Sequence, residues 1–243
     1  MCRVTSWVIV TTRTERVTVS DGAFDMPVWL PASGRGPGIL LIQEVWGVGP
    51  YIRKVGEDLA ALGYVVGAPE LFWRLHEHWE GAHDDAGLAA SLDLASRFDF
   101  ERGVEDSAAA LGHLRGLPEV AGRAGTFGIC LGGSIGYMLG ARGLPDAVVA
   151  FYGSAIPDAT DLMDSVRAPL LCVFGGSDPY IPRDKVAKVE EAAAGRPGVE
   201  VRVYEKAGHA FHNHLAPRFH DPEYAPRAWE AATTFLSRHL PVT

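Results

Sequence analysis

Cysteine is scarce in this sequence: three in 243 residues, at Cys2, Cys130 and Cys172. So sparse and odd a set does not make a disulfide framework and fits a reducing compartment, so a cytoplasmic location is expected. Basic residues are outnumbered too. Lys and Arg total 22 against 30 Asp and Glu, a formal net charge of −8. A surface of that sign does not suit a phosphate backbone, so no nucleic-acid partner is expected. No run of about 18 apolar residues occurs, so no membrane span is expected either. The opening stretch MCRVTSWVIVTTRTERVTV has only a short, β-branched apolar run and no small-residue cleavage site after it, unlike a secretory leader. An edge strand or a loose N-terminal extension over about residues 1–15 is expected there. Gly-x-Gly-x-x-Gly is missing, as is a phosphate loop ending in Lys-Ser/Thr, so nucleotide binding has no motif to rest on. There is no internal repeat and no composition break, and a single domain over residues 1–243 is expected.

What is present is a chain that is 47% hydrophobic and reads as strand and helix in alternation. Val17–Ser20 and Pro27–Leu30 form an expected hairpin turning at Asp21–Gly22. Gly38–Ile42 (GILLI), Tyr64–Ala68, Gly125–Ile129, Ala147–Tyr152, Leu170–Gly175 and Val199–Tyr204 read as strands. Most are unbroken apolar runs, as in strands buried on both faces. Tyr51–Leu62, most of Asp84–Arg115, Gly133–Arg142, Arg183–Ala194 and Ala225–His239 read as helices. This order implies an α/β fold with a mostly parallel sheet covered on both faces. The polar, histidine-containing stretch Phe72–Asp99 is expected to be a cap or long loop over one end of the sheet.

The stretch TFGICLGGSIGYMLG places Cys130 where a strand turns into a helix, between Gly128 and Gly132–Gly133. A Gly-x-nucleophile-x-Gly bend holds a side chain exposed at the sheet edge. Its glycines allow backbones to approach too closely for a Cβ. The helix starting there turns its free N–H groups toward the thiol, which favours thiolate. The plainer alternative is a cysteine that fills space. The later strands bear on the choice. In this architecture an acid and a base follow the nucleophile in chain order, each at the end of a later strand. Asp178 follows LLCVFG and His209 follows the strand leading into YEKAGHAF. Taken singly, Asp178 would cap a helix before PYIPRDK and His209 would be a loop histidine. Together with Cys130 they supply a thiol, a base and a carboxylate that fixes the base's tautomer.

These residues resemble the dienelactone hydrolase family, the cysteine-nucleophile branch of the α/β-hydrolases. The resemblance runs from about Val17 to Leu240 and is carried by LLIQEVWGV, APELFWR, GICLGG, FYG, GGSDPYIP and YEKAGHAF. It implies a sheet of about eight strands, no cofactor, and hydrolysis of a small ester or lactone through an acyl group on Cys130, with His209 as base and Asp178 as its carboxylate. It implies that Glu44 pairs with the thiol and helps deprotonate it when substrate binds. The backbone N–H groups of Val45 and Leu131 would form the oxyanion hole.

Arg74 in LFWR matches a family arginine that binds a substrate carboxylate, so a carboxylate-bearing, dienelactone-like substrate is expected. The sequence departs from the pattern four residues after His209, where Asn213 replaces a second arginine. Arg218 and His212 are candidates to compensate. Trp46, Trp73, Tyr152 and Phe211, with Phe72 and Trp79, stand near strand exits, either walling a pocket or packing the core. The histidine groups HEHWEGAH and HAFHNH lack His-Glu-x-x-His spacing, and no metal is expected. A monomer or weak homo-oligomer is expected. The competing functions are a general carboxylesterase or thioesterase-like enzyme of the same fold acting on neutral esters, and a binding protein that keeps the fold without catalysis.

Overall fold

The computed structural model describes residues 11–242. Among them eight strands form one sheet in the order β1-β2-β4-β3-β5-β6-β7-β8. The first two, β1 (Thr11–Val19) and β2 (Gly22–Leu30), are an antiparallel hairpin turning at Ser20–Asp21. Residues 11–15, expected as part of an extension, therefore belong to the edge strand; residues 1–10, with Cys2, lie outside the described residues. β2 runs antiparallel to β4 (Val65–Gly67). From there the ladders are parallel through β3 (Gly36–Ile42), β5 (Val120–Ile129), β6 (Val148–Phe151), β7 (Leu170–Gly175) and β8 (Val199–Tyr204). This is the α/β architecture expected from the alternation of elements.

The unbroken apolar runs are explained by burial on both faces. In β3, Ile39 and Leu41 belong to one core and Leu40 and Ile42 to a second, because successive strand side chains point to opposite faces. The first core includes α1 (Pro50–Ala61) through Tyr51, Ile52, Val55 and Leu59, and α6 (Tyr224–His239) through Ala228, Ala232 and Phe235. The second includes α3 (Phe100–Gly116) through Val104, Leu111 and Leu114, and Ile135 and Leu139 of α4 (Leu131–Ala141). α5 (Arg183–Ala193) adds Val186 and Val189 to the first core.

The stretch expected as a cap is turns over residues 71–78 followed by α2 (Asp85–Ser96). Asp84 caps α2, accepting the Gly87 N–H at 2.7 Å. Two short 3-10 turns, Ile156–Asp158 and Thr160–Ser165, were not foreseen. Such turns are too short to leave a helical period in the sequence. No helix among the described residues is long and apolar enough to cross a membrane.

Candidate active site

The parallel strands β3, β5, β6, β7 and β8 end side by side. Ile42 lies opposite Gly128, Ile129 opposite Phe151, and Gly175 opposite Tyr204. Everything placed just after these residues therefore meets at one edge of the sheet, the usual position for a ligand in an open α/β fold.

β5 passes into α4 through Cys130, whose φ of 54° and ψ of −109° are unusual for a residue with a side chain and store strain of order 1–3 kcal/mol. The surrounding backbone holds it there. The Cys130 N–H donates to the Phe151 carbonyl at 3.0 Å, and the Gly132 N–H to the Gln43 carbonyl at 3.0 Å. A Cβ on Gly132 would collide with the Ile42 carbonyl, and one on Gly128 with the Gly132 carbonyl. The glycines are thus fixed by close approach of three backbones. Leu131 opens α4, where an N–H has no acceptor within the helix.

His209 reaches the thiol from the loop after β8. Its Nε2 is 3.2 Å from Cys130 Sγ and its Nδ1 is 2.6 Å from Asp178 Oδ2. The other Asp178 oxygen accepts the N–H groups of Tyr180 and Ile181 at 2.8 and 3.2 Å. Asp178 therefore also organises the loop before α5, but it does not cap that helix, whose N-cap is Pro182, so the plainer reading of it as a helix cap does not hold. Tyr152 and Tyr180 flank the imidazole, with ring centroids 5.0 and 5.1 Å away. Burial works against a charge on this ring, but the neighbouring sulfur and the Asp178 carboxylate outweigh it and push His209 up to about 10.

Glu44 follows β3 and is 1% exposed. Its Oε1 accepts from Asn213 Nδ2 at 2.7 Å, and its Oε2 has no hydrogen-bond partner among the described residues. Burial raises the Glu44 carboxyl above its ordinary range, against the lowering effect of His83, His209 and Asn213. His83 Nε2 stands 3.9 Å from Oε1, and its ring stacks on Trp46 at 5.0 Å. A cavity of about 250 Å³ opens over these groups, reached by Glu44, Val45, Trp46, Cys130, Leu131 and His209. A thiol, an imidazole and the Glu44 carboxyl thus face an apolar hollow, with the Asp178 carboxylate behind the imidazole.

The dienelactone hydrolase family profile matches residues 24–240, nearly the whole chain. The chain belongs to the dienelactone hydrolase family. Its similarity to known members is spread along its length. It is 31% identical over 202 residues to carboxymethylenebutenolidase of Pseudomonas putida, covering 82% of this chain and 86% of that one. It is 30% identical over 222 residues to the enzyme of the same name from Rhodococcus opacus, covering 86% and 84%. The crystal structure of a Klebsiella pneumoniae subsp. pneumoniae protein, provisionally designated a dienelactone hydrolase, superposes with a TM-score of 0.81 at 25% identity. That match covers 95% of this chain and 99% of the other.

Against the family pattern, four expected substrate contacts fall elsewhere. Arg74 does not line the cavity. Its guanidinium is bound by Asp21 at 2.7 and 2.9 Å and by the buried Asp106 of α3 at 2.5 and 3.1 Å. The expectation that it meets a substrate carboxylate is corrected by these two aspartates, which occupy its donors. Trp73 turns the same way, donating Nε1 to Asp106 at 3.0 Å and packing on Phe24. Tyr152 and Phe211 are fully buried behind His209 rather than on the cavity wall. Neither candidate to compensate for Asn213 does so: Arg218 pairs with Asp85, and His212 Nδ1 meets the Tyr51 hydroxyl at 2.7 Å.

Several wall residues were not singled out in the sequence. Leu88, Leu92 and Ala95 of α2 line the cavity with Ser154, Tyr180 and Phe219. The α2 residues carried a signal, a spacing of four and seven that shares one helix face. Nothing in the sequence indicated which way that face would turn.

Proposed function

We propose that this protein hydrolyses an ester or lactone through an acyl group carried on Cys130. The observation that carries this reading is the unbroken line from Cys130 Sγ through His209 to Asp178, with the sulfur on a strained bend facing a cavity. Sγ gives up its proton to His209 Nε2 and attacks the carbonyl carbon; the C–S bond forms, and the carbonyl π pair moves onto oxygen. The N–H groups of Leu131 and Val45 receive that oxyanion. Its collapse breaks the C–O bond, and the proton on His209 Nε2 goes to the leaving oxygen. Water then gives a proton to His209 and attacks the thioester, the C–S bond breaks as that proton returns to Sγ, and the acid departs. Asp178 holds the ring in the tautomer these transfers need. Glu44, which reaches the same cavity as the thiol with one oxygen unpartnered among the described residues, assists removal of the thiol proton to His209 as substrate enters.

Family membership and the two carboxymethylenebutenolidase relatives support an ester or lactone as the substrate. The fold alone is equally suited to a binding protein, but a binding site has no use for a strained thiol aligned with an imidazole and a carboxylate.

Iodoacetamide tests the nucleophile. Cys172 is fully buried in β7, and burial pushes its thiol up to about 12, so it will react slowly. Peptide mapping is expected to find Cys130 alkylated well before Cys172, with hydrolysis falling in step. Full activity after alkylation of Cys130 would remove it from the mechanism.

A further inference from the structure

The wall of the cavity beside Cys130 is apolar over most of its extent. Leu88, Leu92 and Ala95 present one face of α2 to it, and Trp46 and Phe219 stand on other sides. No lysine or arginine is among the described residues that line it. The ionisable groups facing it are Cys130, His209, Glu44 and Tyr180. Arg74 and Arg218, the cations expected to serve a negative substrate, are held by Asp21 and Asp106 and by Asp85. A carboxylate carried into this space would leave water for a surface whose one cationic group, His209, is already engaged by Asp178 and the Cys130 sulfur, and a buried charge without a partner is strongly disfavoured. Glu44 would add a buried carboxyl oxygen that has no hydrogen-bond partner among the described residues. A hydrocarbon chain meets neither obstacle and is favoured by the same wall.

We propose that the site takes neutral esters, with an apolar acyl chain lying along the Leu88, Leu92 and Ala95 face of α2, and that Leu92 at its mouth determines specificity. This rests on the hydrolase reading above and adds the substrate class. Leu92 is 43% exposed while still lining the cavity, which puts it at the opening. The volume of about 250 Å³ lies at the small end of ligand pockets, which run from about 300 to 1,000 Å³. That suits a short acyl chain, not a long fatty one.

A matched pair of substrates decides it: 4-nitrophenyl hexanoate and 4-nitrophenyl hydrogen adipate have acyl chains of equal carbon number, and only the second ends in a carboxylate. With uncatalysed rates subtracted, wild type is expected to favour hexanoate in kcat/KM by at least ~10-fold. Leu92→Arg places a cation at an exposed helical position, where arginine folds readily, and is expected to raise kcat/KM for adipate about tenfold. Leu92→Gln, polar but uncharged, is expected to leave adipate unimproved. Wild type that hydrolyses adipate as well as hexanoate overturns the proposal, as does Leu92→Arg with no gain for adipate over Leu92→Gln. The two readings fail separately. Should both esters still be turned over by Cys130→Ala, the acyl-cysteine mechanism falls, while the hexanoate-to-adipate ratio still reports what the cavity accepts.

Discussion

Glu44 and Asn213 lie 169 positions apart in sequence and share a hydrogen bond in the most buried part of the site. The sequence drew attention to Asn213 only as a missing arginine. In the fold its amide is committed on both sides: Nδ2 donates to Glu44, and Oδ1 accepts the Leu215 N–H at 2.9 Å. A neutral amide holds Glu44 in place without stabilising its charge as an arginine would. Burial therefore dominates and raises the carboxyl's pKa. Glu44→Gln keeps the acceptor that Asn213 needs but cannot exchange a proton with the thiol. Turnover at neutral pH is expected to fall by ~10²–10⁴-fold, the usual loss of a general base, with little change in melting temperature. Steady-state kinetics beside a thermal melt checks this; near-native turnover would make Glu44 a packing residue. Cys130, Asp178 and His209 were legible because their chemistry demands particular side chains at successive strand exits. Arg74 was not, because its direction is set by Asp106, 32 residues away on α3. A residue next to a strand exit in sequence can still point away from the site.

At the scale of elements, the bend from β5 into α4 fixes the site's geometry. Its glycine pattern could be read directly, since the backbone crossings that require it belong to a recurrent motif. Gly132→Ala would drive a Cβ into the Ile42 carbonyl, a backbone atom in a buried strand end that cannot give way like a flexible side chain. Relieving that clash separates α4 from β3 and weakens the Gly132–Gln43 hydrogen bond. A loss of more than about 2 kcal/mol in denaturant unfolding is expected, with Cys130 displaced and activity lost. An unchanged stability would mean that the bend is looser than the close packing implies. Helix α2 shows the opposite case. Its existence was visible in the spacing of Ala and Leu, yet which face met the active site depended on how the turns over residues 71–78 lead the chain across the sheet edge. Its functional contribution emerged only with the tertiary structure.

For the molecule as a whole, the alternation of buried runs and amphipathic helices was enough to predict a mostly parallel sheet covered on both faces. Strand β3 is apolar throughout because it is sandwiched between the two cores, and the short runs of β6 and β7 are fully buried, whereas β8 at the far edge is only partly buried and carries Glu200 and Arg202. The antiparallel hairpin at one edge was also legible, although its turn falls at Ser20–Asp21, one residue before the Asp21–Gly22 turn expected, and its strands are longer than expected. What the whole fold adds is convergence: four strand ends bring Glu44, Cys130, Asp178 and His209, spread over 166 positions by the numbering (209 − 44 + 1), to one sheet edge. The central claim is that this convergence makes Cys130 a nucleophile that carries an acyl group. A neutral carbamate ester tests it most directly, because its acyl group is released slowly enough to be trapped. Intact mass spectrometry after acid quench, followed by peptide mapping, is expected to show one carbamoyl group per chain on Cys130, formed in step with leaving-group release and with loss of hydrolysis. Leaving-group release at an undiminished rate with Cys130 unmodified, or an adduct on any other residue, would contradict it.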